Sequence, residues 1–286
     1  MLRPGITPDK SFYFIDLWGE KVGLFFSFGA GAKAEKALQY AEERLAEAYA
    51  MAAKNKPEAV GKATDGYDEY IAIATEKVEK AREKSVDISK LSEIVALGTS
   101  KHLSVLDRVA EIVPEEAKEA IAQAKEVSIN GQENALRALV GENPERAMEI
   151  VLDAATGRLN RAKEKAEENE IEEVEAALQE FERLNKFGQE ISKIAQGLGK
   201  DTTTVEQLVA RATSHHLEVL ALVYEKVPEQ AQPAIERAME ASVRGYEGAV
   251  EALKGKGALG DIPEEPPIPE GIPNKVRKKL ATDRAT

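Results

Sequence analysis

Two histidines, His102 and His216, sit in near-copies of one local sequence, TSKHL and TSHHL, 114 residues apart. Histidine is the side chain whose charge changes near neutral pH, and its ring nitrogens are common metal ligands. Carboxylates recur with the same offset: Glu126 and Glu133 answer to Glu240 and Glu247, each pair spanning two helical turns. A histidine with one or two such carboxylates could hold a hard or borderline divalent ion. Di-iron bundles, however, need a Glu-x-x-His pair on each of two helices. Thr99 and Thr213 stand at the required glutamate position, which disfavours ferritin-like redox chemistry. The competing reading is a core imidazole held by a single hydrogen bond. No metal or other cofactor is therefore expected, and His102, His216, Glu126 and Glu240 remain weak metal candidates.

Other ionisable residues are matched between the copies, namely Arg44 with Arg158 and Glu76 with Glu190. They suggest a salt bridge across the first two helices of each copy, with a ligand clamp as the lesser reading. The chain contains no nucleophile elbow, glycine-rich phosphate loop or HExxH. Carboxylate pairs on solvated helices are too common to indicate acid–base catalysis. The expectation is a protein that is not an enzyme.

The elements that position these residues come from a tandem duplication. Placing residues 87–139 on residues 201–253 needs no gap and gives 25 identities in 53 positions. Each copy offers four amphipathic segments, about 32–54, 58–84, 89–112 and 114–139 in the first, and about 144–169, 171–198, 203–226 and 228–254 in the second. Leu38, Ala41, Leu45, Ala48 and Ala52 show the alternating spacing of three and four that marks one buried stripe. Asn143 before Pro144 reads as an N-cap with proline at the first helical position. Thr203-Thr-Val-Glu206 reads as a capping box, and Gly141 as a helix stop. His102 and His216 fall on the apolar seam of their segments.

A second repeated stripe is made of small residues: Ala120, Ala124, Ser128, Gly131, Ala135 and Ala138 are matched identically by Ala234, Ala238, Ser242, Gly245, Ala249 and Ala252. Small side chains let a neighbouring backbone approach, so a tight antiparallel contact is expected in both copies. The fold expected is all-α: two tandem antiparallel bundles of about four long helices each. The boundaries read are 1–31 for a lead and aromatic helix, 32–141 and 142–255 for the repeats, and 256–286 for a tail.

Of the 286 residues, 31% are charged and the net charge is -12, without a basic cluster inside the repeats. Nucleic acid is thus an unexpected partner. No apolar run approaches the ~20 residues of a membrane span, and residues 1–10 lack the apolar core of a signal peptide. The absence of cysteine excludes disulfides and thiolate chemistry.

The two ends lie outside the repeat. Residues 12–28 hold seven of the fifteen aromatic residues. Phe14, Leu17, Trp18, Leu24, Phe25 and Phe28 suggest a helical stripe that caps the first bundle or docks into another molecule. Phe12, Phe14, Trp18, Phe25, Phe26 and Phe28 are the candidate interaction residues, for a protein partner or self-association. At the other end, five prolines lie between Pro263 and Pro273, and Lys275, Arg277, Lys278, Lys279 and Arg284 follow against Asp283. This tail reads as a solvated terminus, or as a tether to an acidic surface.

ITPDKSFYFIDLWGEKVGLFFSF, then AEKALQYAEERLAEAYAMAAKNK, then TSKHLSVLDRVAEIVPEEAKEAI resembles an uncharacterised domain-of-unknown-function family of exported archaeal and bacterial proteins. The resemblance covers residues 6 to about 139 well and the second copy more loosely. Lys10-Ser11 departs from the family's usual Ser-Pro after Pro-Asp. The resemblance transfers no activity or site residues. It implies a mature envelope or extracellular protein whose signal peptide has been removed, with a cytoplasmic location as the alternative. A structural or protein-interaction role in the envelope, such as an assembly subunit, is the expected function. A metal- or small-ligand-binding bundle built on the two histidines is the alternative.

Overall fold

The computed structural model describes residues 4–83, 88–270, 272, 274 and 276–278. Lys84, Asp87, Pro273, Lys275, Lys279, Asp283 and Arg284, used above, lie outside them. No strand occurs among the described residues, and the chain divides into two compact units, Met1–Glu142 and Asn143–Thr286.

The first unit begins with α1 (Tyr13–Phe25) and continues with α2 (Ala30–Ala52), α3 (Pro57–Glu83), α4 (Ser89–Ile112) and α5 (Lys118–Glu142). Helix α2 packs antiparallel on α3 and α4 on α5, and the two hairpins meet through α2–α4 and α3–α5. The second unit repeats this plan with α6 (Pro144–Glu167), α7 (Ile171–Gly197), α8 (Thr203–Lys226) and α9 (Gln232–Gly255). At 1.5 Å per residue, helices of 23 to 27 residues are rods about 35 to 40 Å long.

The punctuation follows from local chemistry. Asn55 and Asn169 hold the same position in the two copies, and both adopt a left-handed conformation, φ 55° and 61°. Each lets the next amide fold back on the finished helix: Lys56 N–H donates to Met51 O and Glu170 N–H to Lys165 O, 3.0 and 2.9 Å. Asn143 accepts from the Arg146 amide at 3.0 Å, with Pro144 opening α6. Two expected signals act differently. Gly141 stays inside α5, which runs on to Glu142. At α8 no Thr–Glu capping box forms. Asp201 Oδ1 accepts from both the amide and the hydroxyl of Thr203, 2.9 and 2.7 Å, while Glu206 is turned inward and buried.

The expected solvated tail is also corrected. Ile262, Ile272 and Val276 are buried on the second unit. Ile262 joins Tyr246, Ala249 and Leu253, and Ile272 and Val276 join the larger core around Phe181 and Ile235. The Tyr246 hydroxyl donates to Pro263 O at 2.7 Å, and the Arg277 guanidinium donates to Ile272 O and Pro269 O. Prolines keep the segment extended, while its isoleucines alternate onto the helices. A fully buried isoleucine contributes roughly 1.5–3 kcal/mol, which favours a strap over a free end.

Candidate functional site

The repeated histidines are core residues. His102 is 2% exposed and meets the Tyr67 ring edge-on at 5.5 Å; His216 is fully buried and meets Phe181 edge-on at 5.2 Å. His216 Nε2 lies 3.2 Å from Thr156 Oγ1. Burial pushes both imidazoles down to about 4, so they are neutral at pH 7. Glu126 is exposed and Glu240 half-buried. Among the described residues, no group of three or more His, Asp or Glu side chains is arranged to hold a metal ion.

The matched arginines diverge. Arg44 does not pair with Glu76, which bonds Lys77 and Lys80 instead. Arg44 is fully buried at the centre of a polar cluster whose other half comes from α1. Its guanidinium donates to the Tyr13 hydroxyl at 2.6 Å, to Asp16 at 3.1 Å and to Glu20 at 2.7 Å, and it lies 2.9 Å from Glu47 on its own helix. Tyr70 on α3 donates to the other Glu20 oxygen at 2.6 Å. Tyr13, Asp16, Glu20 and Gly23 step by three and four, so they form one face of α1. A Cβ at Gly23 would clash with the Tyr40 hydroxyl on α2, so glycine is what lets α1 come this close. The lead is tied down as well, by Asp9 to Lys56 at 2.7 Å. The Lys56 ammonium holds the Asp9 carboxyl well below the usual range.

One cation thus faces three carboxylates in a buried site. Burial pushes Glu47 up to about 8 and raises Glu20 as well, Arg44 offsetting only part of the shift. Burial works against the Arg44 charge, but Glu47 and Glu20 outweigh it and keep arginine above its ordinary range. Glu47 therefore carries a proton at neutral pH, which removes one charge from the excess. The second unit lacks this arrangement. Arg158 pairs across to Glu180 at 2.8 Å, and Arg161, standing where Glu47 does, pairs with Glu173 at 2.8 Å. The position matching Glu180 is Gly66, where a Cβ would lie 3.0 Å from Arg44 Cδ. Removing that one side chain gives Arg44 its room, and the carboxylates then arrive from α1.

With its polar face turned inward, α1 turns its aromatics out. Phe12, Phe14, Trp18, Phe25, Phe26 and Phe28 are 64–87% exposed, with Ile15 at 48%. The apolar stripe expected for α1 is in large part its solvent face, since only Leu17 and Leu24 of that stripe are half-buried. The signal that could have revealed this was Tyr13-x-x-Asp16-x-x-x-Glu20, a polar face placed ahead of Arg44 and Glu47.

The small-residue seam also behaves differently in the two units. At Gly131 a Cβ would lie 3.0 Å from Ile71 Cγ2 and 3.3 Å from Thr75 Oγ1 on α3, so α3 and α5 are in tight contact as expected. At Gly245 a Cβ would meet only Thr213 on α8, at 3.3 Å, and nothing on α7. In the second unit the tight contact is kept against α8 but not against α7, which parts from α9 around a cavity of about 330 Å³. Met148, Val151, Leu152 and Val209 form its floor, and Gly245, Gly248 and Ala252 one wall.

Comparison with known proteins agrees with this picture. Residues 5–116 match the family model described as Domain of unknown function (DUF5667). The matched stretch holds α1 to α4 and so the whole Arg44 cluster. A solved structure described as "Circular tandem repeat protein with novel repeat topology and enhanced subunit contact surfaces" superposes with TM-score 0.61 at 14% identity, over 86% of this chain and 52% of that one. The chain thus spans about half the length of that protein, and the likeness is one of fold, a tandem helical repeat. No curated protein matches.

Proposed function

We propose that this chain is a non-enzymatic docking protein of the cell envelope or extracellular space, which binds a protein partner through the outward aromatic face of α1. The observation that carries the reading is the inverted helix. A short helix with several aromatics would ordinarily bury them, whereas α1 is fixed by buried polar bonds and presents Phe14, Ile15, Trp18 and Phe25 to solvent, with Phe12, Phe26 and Phe28 exposed at its two ends. Contiguous exposed apolar surface on a water-soluble face is characteristic of interaction sites, and aromatic residues dominate the energetics of such contacts. The duplicated helical rods supply a stiff support, and the chain's resemblance to an exported family favours the envelope.

Trp18 is the single tryptophan of the chain and is 69% exposed, so its emission reports on docking. Adding the detergent-solubilised envelope proteins of the native cell should shift its emission to the blue. The variant Phe14→Ser/Phe25→Ser, with unchanged helicity, should lose the shift. Protein-free vesicles of the cell's own lipids separate the alternatives: a shift with lipid alone, or an equal shift in the variant, would overturn protein docking through this face.

A further inference from the structure

Beyond the docking face, we infer that the α7–α9 cavity of the second unit is a binding site for one small amphipathic anion, a carboxylate with an aliphatic body. The cavity is larger in the second copy than its counterpart in the first, which lies at the matching α3–α5 positions and holds about 190 Å³. In the first copy, Ile71 and Thr75 close on Gly131 and confine the space to Thr75, Val78, Glu79, Arg82, Asn134, Arg137 and Ala138. In the second, about 330 Å³ lies open, within the size range of small-molecule sites, roughly 300–1,000 Å³. Met148, Val151, Leu152, Leu184 and Val209 give it an apolar part that suits a hydrocarbon body.

Polar groups at the cavity point to the sign of the head group. Asn185 lines the cavity and holds a buried Nδ2 that has no hydrogen-bond partner, so an N–H there is left to donate to an acceptor. Lys193 and Arg244 also line it, are exposed, and make no ion pair among the described residues. Glu206 is the one acidic residue of the lining, and it is engaged already, receiving Gln196 Nε2 at 3.5 Å. Two uncommitted cations and one orphaned donor beside an apolar cavity complement a carboxylate with a hydrocarbon chain.

Decanoate is the probe, titrated calorimetrically into the full chain. Saturable binding of one decanoate per chain is expected, with decanol at least ten-fold weaker. Gly248→Leu introduces a side chain where a Cβ meets only open space, and leucine is the better helix former. It should abolish binding while helicity and thermal midpoint hold. Lys193→Glu/Arg244→Glu should weaken decanoate at least ten-fold and leave decanol unchanged. No saturable binding below about 1 mM, two sites per chain, or unaltered binding in Gly248→Leu would overturn the site. Equal affinity for decanol and decanoate would overturn the anion assignment.

Discussion

At the scale of residues, the most consequential group is Arg44, because its environment sets the protonation of a neighbour. Glu47 has a folded pKa raised to about 8, against an ordinary 4.5. A carboxyl whose pKa is raised on folding contributes stability that is fully present below pH 4.5 and is lost as pH rises through 8. The groups facing it are Asp16, Glu20 and Tyr13 from α1 and Arg44 from α2, so ionising Glu47 adds repulsion against the acidic face of α1. Glu47→Gln keeps the neutral form at every pH. At pH 9 it should be more stable than the native chain by on the order of 3 kcal/mol, and at pH 4 the two should nearly coincide. Urea unfolding at the two pH values checks this, and a parallel pH dependence in both proteins would contradict the protonated-Glu47 account.

At the scale of elements, the duplicated helices were legible because they depend on period and punctuation. The three-and-four stripes and the Asn143-Pro144 start are local signals, and the structure follows them. What was not legible depended on distance between elements. The Ala/Gly/Ser stripe is identical in α5 and α9, yet at its glycine it closes on α3 in one unit and borders a larger cavity beside α7 in the other. Identical residues on one helix do not fix how near its neighbour comes. The difference can be measured with one substitution made twice. Gly131→Leu places a side chain against Ile71 and Thr75 and should cost roughly 1–3 kcal/mol by overpacking. Gly245→Leu enters open space on the α7 side, and the one near atom, Thr213 Cγ2, belongs to α8. Its cost should be under about 1 kcal/mol, with the gain in helix propensity over glycine as an offset. Equal losses in thermal unfolding would mean that the second seam is as tight as the first.

At the scale of the whole molecule, the repeats are the regular part and the ends carry the differences. At each end, composition indicated what the segment was made of, but not which side it would bury. The tail's prolines concealed the Ile262, Ile272 and Val276 contacts. The aromatics of α1 drew attention from Tyr13, Asp16 and Glu20, the residues that hold it. Helix α1 therefore has two separable roles, anchoring through one face and presentation through the other, and two variants should divide them. Deleting residues 1–28 removes Tyr13, Asp16 and Glu20 from Arg44 and exposes a site built to be dry. The first unit should then lose roughly 2–4 kcal/mol, the scale of losing a buried hydrogen-bonded network. The polar-face variant Phe14→Ser/Trp18→Ser/Phe25→Ser/Phe28→Ser changes only side chains already 66–87% exposed. Surface changes of this kind shift stability by about 0.5 kcal/mol or less each, so unfolding should stay near native while the apolar patch disappears. Dye binding to exposed apolar surface should fall in this variant, with the thermal midpoint nearly preserved. A collapse of the first unit on removing the aromatics would mean that they, and not the Arg44 cluster, hold α1 in place.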